Sequence, residues 1–373
     1  MLQRTEIAPL TGLRAVAAIY VFLFHIQIRW PFVHHPFAAN LVGEGAVGMS
    51  IFFMLSGFVL AYQYANRSVS HREYAINRFA RIYPVYALCA VLSLPWIGLS
   101  IHDGTVLRDA ARIVILVIAN VFVVQAWFPQ FFQYWNDGGS WSIAVEAFCY
   151  ALLPLILASL ESASRRKLGM VAIASYFAAV LPGLTYALFE NSPTIFYAMP
   201  IFRLPEFLIG VCVCLAVRRG HVVCWWAAAI LVFACIWYLG TTPLEGTTIY
   251  VTHNWLVLPA IAAAICFLAT STGYASKMLA SRIATFLGKI SYCIYSLQIF
   301  IIMPLVHNHD RVVSRIPILG NNVILVCAAF ALLIAGSALC HYLIEEPARR
   351  WIKSRMEIRG VREAAVLRPQ TPR

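Results

Sequence analysis

The segment from residue 323 to residue 344 reads VILVCAAFALLIAGSALCHYLI and contains no Asp, Glu, Lys or Arg. A helix needs about 20 consecutive apolar residues to cross the hydrocarbon core of a bilayer, so this run predicts a transmembrane helix. Further runs of spanning length precede it along the chain. They lie at about 13–30, 46–65, 82–101, 112–128, 142–160, 168–189, 199–217, 224–240, 255–271 and 284–306.

The composition agrees with a chain built from such runs. Of its 373 residues, 61% are hydrophobic and 12% are charged, and the mean hydropathy is +0.76. A soluble domain of this size could not bury so much apolar surface. The sequence therefore predicts an all-α integral membrane protein, a polytopic bundle of about ten transmembrane helices. Most cysteines lie inside the runs, and no spacing is typical of metal ligands, so we expect neither disulfides nor a metal site.

The basic residues predict the orientation of the bundle. The net charge of +12 would suggest nucleic acid for a soluble protein, but here Lys and Arg concentrate in alternate loops, as in the cytoplasmic loops of membrane proteins. We therefore expect no nucleic-acid partner, a lipid environment, and both termini in the cytoplasm. The basic loops at 66–81 and 161–168 are separated by three runs, and an odd number cannot return the chain to one side. We expect either 82–101 or 112–128 to be an incomplete span, with eleven spans as the alternative to ten.

The domain organisation is simple. We expect one membrane domain over residues 1–350 and a basic, flexible cytoplasmic tail over residues 351–373, without an appended esterase-like domain. The two halves of the chain do not repeat each other in charge or glycine placement, which weighs against a transporter built from duplicated halves. The sequence carries no signal for an oligomeric state.

Ionisable residues inside a membrane are costly and point to function. Arg14 and His25 lie eleven residues apart in the first run, and eleven helical steps of about 100° return to within roughly 20° of the starting direction, over a rise of about 16 Å. We expect both side chains to face one cavity, with Arg14 near the cytoplasmic end and His25 near mid-membrane. The alternative is that Arg14 only follows the charge rule for cytoplasmic ends and that His25 is a packing residue.

Six segments together resemble the membrane-bound acyltransferase-3 family, which O-acetylates bacterial cell-surface glycans. They occur in the family's order over nearly the whole chain. The segments are Leu10 to His25, Gly45-Ala-Val-Gly48 with Phe52-Phe53-Met-Leu-Ser-Gly57, Arg78-Phe-Ala-Arg81-Ile-Tyr-Pro84, Trp141-Ser142-Ile-Ala-Val-Glu146, Phe286-Leu-Gly288-Lys-Ile-Ser291-Tyr-Cys-Ile-Tyr295, and Glu345-Glu346-Pro347. One departure is Gln298, because many relatives carry His at the end of that helix segment.

The resemblance implies a reaction. It implies that an acyl group passes from a cytoplasmic coenzyme A thioester to a hydroxyl of a cell-surface or exported glycan or glycolipid. The acyl group is expected to be acetyl, with acetyl-CoA as the co-substrate. The expected location is the bacterial cytoplasmic (inner) membrane. An imidazole titrates near neutrality and suits a general base that activates a hydroxyl, so His25 is the predicted base. Arg14, Arg78 and Arg81 are the predicted phosphate contacts, because guanidinium binds phosphate bidentately; basic loops alone would also explain Arg78 and Arg81.

The segment beginning at Trp141 supplies the remaining candidates. Ser142 and Glu146 are four residues apart and share a helix face. Glu146 is predicted to orient His25 or to bind the acceptor's hydroxyls, while Trp141 and Ser142 are predicted acceptor contacts. The alternative for Glu146 is a structural ion pair with Arg112 or Arg203.

Two other functions are alternatives to this prediction. A secondary transporter is the alternative from another class, but it favours acidic residues in several helices. The other large family of membrane-bound O-acyltransferases carries its catalytic histidine late in the chain, and His25 is early. The sequence leaves the acceptor and the length of the acyl chain open.

Overall fold

The computed structural model describes residues 6–67, 69–100, 105–131, 140–189, 195–242 and 251–366, which form helices joined by turns. This confirms the predicted all-α class. The α-helices are α1 (Ala8–Gln27), α2 (Pro36–Gly43), α3 (Gly48–Tyr64), α4 (His71–Ser100), α5 (Val106–Val121), α6 (Trp141–Leu160), α7 (Arg165–Phe189), α8 (Ile195–Ala198), α9 (Pro200–Arg218), α10 (Trp225–Thr241), α11 (Asn254–Thr270), α12 (Tyr274–Leu279), α13 (Arg282–Lys289), α14 (Ser291–Leu297), α15 (Ile299–His307), α16 (His309–Arg315), α17 (Asn322–Cys340) and α18 (Glu346–Val366).

Several of these helices are suited to a bilayer. Within the described residues, seven helical segments are long and apolar enough to cross a membrane, and an eighth is formed if Arg282–Lys289 and Ser291–His307, bent by 53°, count as one span. The predicted ten needs α4 and α10 in addition, and it stays a prediction. The protein is a multi-pass membrane protein.

The predicted irregular span is α5. Its 16 residues extend over about 24 Å, short of a hydrocarbon core of about 30 Å. Two single 3₁₀ turns follow it, at Gln125–Trp127 and Pro129–Phe131. Of the two suspected runs, α4 is continuous over 30 residues despite its internal prolines Pro84 and Pro95. The more irregular of the two runs is therefore the one predicted at 112–128, and which of them fails to cross the membrane stays a prediction.

Glycines allow the central helices to approach each other closely. A Cβ added at Gly57 of α3 would meet the Phe207 carbonyl of α9, and one added at Gly210 of α9 would meet the Met54 carbonyl of α3. Because each helix places a glycine against the backbone of the other, the two cross with little space between them. This crossing lies beside the main core of the bundle.

The connections define two ends of the bundle. At one end, which we call the basic end, Arg219 of the loop 219–224 donates a hydrogen bond to the carbonyl of Glu161 in the loop 161–164, at 3.0 Å. At the opposite end, Asn40 donates to the Gly240 carbonyl at 3.3 Å. The helices α7 and α10 both start at the basic end and run away from it. Two of the loops predicted to be cytoplasmic, 161–164 and 219–224, thus share one end of the bundle.

The C-terminal segment differs from a simple flexible tail. A π-helical turn over His341–Glu345 joins α17 to α18, and α18 continues to Val366 without a break at residue 350. Glu346 supports this helix because it pairs with Arg349 at 2.6 Å and with Arg350 at 3.0 Å. The helix therefore occupies most of the predicted tail, and residues 367–373 lie outside the described part.

Candidate functional site

A cavity opens among α1, α3, α4, α6 and α14, and it gathers four of the seven predicted site residues. Arg14, Arg81, Ser142 and Glu146 all line it. The other lining residues are Met49, Phe52, Ile82, Ile143, Tyr150, Ser291, Tyr292 and Tyr295. The wall is apolar and aromatic, with two cations and one acid, which is the usual make-up of a small-molecule site.

The cations belong to Arg14 and Arg81. Arg81 forms an ion pair with Glu345, and its guanidinium lies 5.8 Å from the ring centre of Tyr292. Within the described residues, no hydrogen bond or ion pair joins Arg14 to another side chain. An arginine without an anionic partner in a membrane protein is a candidate ligand for an anion.

Glu345 holds Arg81 in place through a small polar cluster. Its Oε2 atom lies 2.8 Å from Nδ1 of His341 and accepts a hydrogen bond from the Cys293 thiol at 3.3 Å. The ligand atoms of Glu345, His341 and Cys293 lie within 4.8 Å of one another, close enough to hold a metal ion. These hydrogen bonds and the Arg81 ion pair already satisfy the carboxylate, so we assign the cluster to positioning Arg81.

Arg78, the other predicted phosphate contact on α4, is directed away from the cavity. Its guanidinium lies 5.5 Å from the ring centre of Tyr64 and 5.8 Å from that of Tyr150. It also donates a hydrogen bond of 3.4 Å to the Tyr64 hydroxyl. The spacing of the two arginines explains this difference, because residues three apart on a helix point in directions about 60° apart.

Glu146 lines the cavity. Among the described residues it forms no ion pair with Arg112 or Arg203, which were the alternative partners expected from the sequence. Its Oε2 accepts a hydrogen bond of 2.7 Å from the Tyr150 hydroxyl. Arg203 pairs instead with Glu206 at 2.5 Å, and Arg112 with Asp109 at 3.8 Å. The carboxylate of Glu146 is therefore the one acid among the residues that line this cavity, which also include Arg14 and Arg81.

Ser142 and Trp141 are neighbours with different surroundings. Ser142 donates a hydrogen bond of 2.8 Å to the hydroxyl of Tyr295, which also lines the cavity. Trp141 is buried and is not part of the lining; its ring packs against Tyr197 at 4.8 Å and against the Arg203 guanidinium at 5.7 Å. In this arrangement the Trp141 face predicted to stack on a sugar is covered by protein.

His25 lies elsewhere than expected. It is two residues from the end of α1, and its side chain is not among those that line this cavity. Nδ1 of the ring lies 2.9 Å from the Val21 carbonyl of the same helix, and the Gln298 side chain lies beside the ring, at the junction of α14 and α15. Gln298 follows the cavity residue Tyr295 by three positions, so His25 is about one helical turn beyond the cavity.

Several site residues were missed by sequence reasoning. Tyr150 bonds Glu146, Tyr295 bonds Ser142, and Glu345 bonds Arg81. Tyr295 and Glu345 stood inside segments used for the family resemblance, but no spacing rule connects residues so far apart in the chain. Tyr150 was accessible to inference, since it follows Glu146 by four positions on one helix.

The comparisons with known proteins identify the family of the chain. Residues 7–342 match the family described as an acyltransferase domain. The acyltransferase MdmB of Streptomyces mycarofaciens is 26% identical over 242 residues, which are 58% of this chain and 58% of that protein. The O-acetyltransferase OatA of Staphylococcus aureus is 26% identical over 163 residues, 40% of this chain and 24% of that protein. No solved structure matches.

The chain thus spans somewhat over half the length of the first of these relatives and about a quarter of the second. The family match, by contrast, extends over almost the whole chain, and it includes every residue that lines the cavity. Together with the all-α membrane fold, it shows that this chain belongs to the acyltransferase-3 family of membrane-bound acyltransferases.

Proposed function

We propose that this protein is a membrane O-acyltransferase that transfers an acetyl group from cytoplasmic acetyl-CoA to a hydroxyl of a cell-surface or exported glycan. The observation that carries the proposal is the order of groups along α1. Arg14 lines the cavity at one level, and His25 lies about 16 Å further along the same helix, one turn beyond the cavity. An anion site and a base are thereby separated along one path through the protein. The proposed location is the bacterial cytoplasmic membrane.

The donor end of the path would bind coenzyme A. Arg14 and Arg81 offer guanidinium groups to its phosphates, and the aromatic wall formed by Tyr292 and Tyr295 suits the apolar pantetheine arm. Arg78 contributes positive charge behind Tyr150 rather than direct contact. The arm can extend from the arginines toward His25, so the thioester is delivered to the base.

The acceptor end would perform the chemistry. The lone pair of His25 takes the proton of the acceptor hydroxyl while the oxygen attacks the thioester carbonyl. The carbon–sulfur bond then breaks, and the leaving thiolate receives the proton that His25 holds. Glu146 and Ser142 line the same cavity as Arg14 and Arg81, and we propose that they orient the thioester and the acceptor. Trp141 is assigned no substrate contact, because its ring is enclosed.

Two matched variants of α1 test this division of roles. His25→Asn keeps a hydrogen-bonding side chain but cannot accept a proton near neutral pH. We expect it to bind acetyl-CoA normally while transfer falls on the order of 10²-fold to 10⁴-fold. Arg14→Gln is expected to weaken acetyl-CoA binding. Binding is measured on purified protein, and transfer by mass spectrometry of O-acetyl groups on the glycans of a deletion strain that carries each variant.

One control separates direct transfer from a covalent route. Radiolabelled acetyl-CoA is supplied without acceptor, and enzyme-bound label is measured for the wild type. Persistent label would indicate an acyl-enzyme and would replace the base mechanism. Near-normal transfer by folded His25→Asn would refute the catalytic role of His25.

A further inference from the structure

Three side chains of the kinds that bind transition metals meet where α14 packs near the π-helical turn. They are Cys293 of α14 and His341 and Glu345 of the turn, and their ligand atoms lie within 4.8 Å of one another. Cys293 and Glu345 are 0% and 1% exposed, whereas the His341 side chain is 15% exposed. The cluster is thus enclosed by protein but keeps one side toward the surface.

The two carboxylate oxygens of Glu345 have different partners. Oε1 faces the Arg81 guanidinium in the ion pair, while Oε2 lies 2.8 Å from Nδ1 of His341 and 3.3 Å from Sγ of Cys293. Two hydrogen-bond donors therefore converge on one oxygen, and a thiol is a weak donor. A cation placed among these three atoms would replace both hydrogen bonds and leave the ion pair with Arg81 intact.

The separations suit a small tetrahedral ion. In a zinc site with bonds of about 2.0–2.3 Å, the ligand atoms lie about 3.3–3.6 Å from one another, so the three side chains need to move by about 1 Å or less. The π-helical turn brings His341 and Glu345, four positions apart, into contact, and such turns frequently occur at functional sites. A fourth ligand, which structural zinc sites require, is available from Cys340, because its thiol lies beside that of Cys293.

We propose that Cys293, His341 and Glu345 bind a divalent transition-metal ion, best Zn²⁺, and that Cys340 completes its coordination. Thiolate and imidazole ligands favour Zn²⁺ over Mg²⁺ and Ca²⁺, which prefer oxygen. On binding, each thiol gives its proton to solvent and its sulfur bonds the ion, while the neutral His341 ring moves its proton from Nδ1 to Nε2. Two thiolates cancel the charge of the ion, so Glu345 and Arg81 still neutralise each other.

The ion would tie α14 to the turn that carries Glu345. We assign it a structural role, because none of its four ligands lines the cavity. It extends the positioning of Arg81 by Glu345. The expectation of no metal site rested on local spacing, and Cys293 is far from His341 in the chain. This inference goes beyond the proposed acetyl transfer and does not depend on it.

Cobalt tests the site directly, since Co²⁺ can replace Zn²⁺ and a thiolate bound to Co²⁺ gives a charge-transfer absorption that imidazole and carboxylate ligands do not give. The full chain is purified in detergent, stripped of metal with a chelator, reduced, and titrated with Co²⁺. We expect the absorption to saturate at one ion per chain. Added Zn²⁺ should then abolish it, because zinc binds such sites more tightly than cobalt.

Three variants assign the ligands. Cys293→Ser should abolish the absorption and weaken zinc binding by at least about 100-fold, because even changes outside the first coordination shell cost 10–100-fold. His341→Gln should weaken zinc binding to a similar degree, and it serves as the test if Cys293→Ser does not fold. The matched control is Cys89→Ser, which alters a thiol of the same apolar cluster that is not in the ligand group and should bind both metals normally.

Two results would overturn the inference. One is a wild type that shows no thiolate absorption with Co²⁺. The other is equal zinc affinity in Cys293→Ser and Cys89→Ser, which would place any bound ion elsewhere on the protein.

Discussion

Removal of the Glu345 charge tests whether its ion pair with Arg81 holds that arginine in the cavity wall. Glu345 is 1% exposed and Arg81 is 20% exposed. Loss of one partner of a buried pair leaves an uncompensated charge and costs about 3–5 kcal/mol. Because Arg81 also lines the cavity, water there can solvate it in part, and we expect the lower figure, about 3 kcal/mol, for Glu345→Gln. At roughly 2–4 °C per kcal/mol, the unfolding temperature should fall by about 6–12 °C.

The cysteines of the chain provide the assay. Eight of the ten free cysteines are buried, so a thiol-reactive fluorophore will report their exposure as the detergent-solubilised protein is heated. The matched control is Glu346→Gln. Glu346 pairs with Arg349 and Arg350, whose side chains are 37% and 78% exposed, and such surface pairs contribute about 0–1 kcal/mol. We expect its unfolding temperature to change by about 4 °C or less.

A double-mutant cycle completes the test. The cycle consists of the wild type, Arg81→Gln, Glu345→Gln and the double variant. The double variant removes both charges and should unfold at a higher temperature than Glu345→Gln alone, because no unpaired charge remains. If Glu345→Gln unfolds within about 2 °C of Glu346→Gln, the ion pair does not hold the donor end and the reasoning fails. Acetyl-CoA binding is then measured for the wild type and the three variants of the cycle. The affinities show whether Arg81 contributes to binding only when Glu345 is present.

Two further predictions concern the bundle. A reporter fused after Gly360 should report a cytoplasmic location, since Lys and Arg concentrate in alternate loops and ten spans return the chain to the cytoplasmic side. An external reporter would support eleven spans. Gly57→Ala should lower the unfolding temperature, because the added methyl meets the Phe207 carbonyl and overpacking costs about 1–3 kcal/mol. The control is Gly336→Ala. It has open space around the added methyl and should leave the unfolding temperature unchanged or raise it. Equal effects of the two substitutions would contradict the close crossing of α3 and α9.

The sequence contained the information for the fold class and for the helices of the cavity. Charge-free runs and helical spacing are local properties, and they identified Arg14 on α1 and Ser142 and Glu146 on one face of α6. The depth of His25 was beyond that reasoning. Its position depends on where α1 ends and on Gln298, which lies far along the chain. A spacing rule gives the direction of a side chain but not which neighbouring helix it meets.

The same limit explains the arginines and Trp141. The sequence could not show that Arg81 is directed to Glu345 while Arg78 is directed to Tyr64, because only helix packing separates them. Trp141 was predicted to stack on a sugar ring. Tyr197 of α8 and Arg203 of α9 cover its ring instead. The Arg203–Glu206 pair, three residues apart on one helix, was within reach of local reasoning and is present.

Two buried ion pairs, Arg203–Glu206 and Arg81–Glu345, differ in when they can form during synthesis. Arg203 and Glu206 leave the ribosome almost together, so α9 enters the membrane with its charges already neutralised. Arg81 is made early and Glu345 near the end of the helical bundle, so Arg81 waits without its partner while most of the other helices are inserted. The pairing of Arg81 at the cavity is therefore completed late, and a nascent chain that has not yet produced the π-helical turn after α17 has no Glu345 to pair with Arg81.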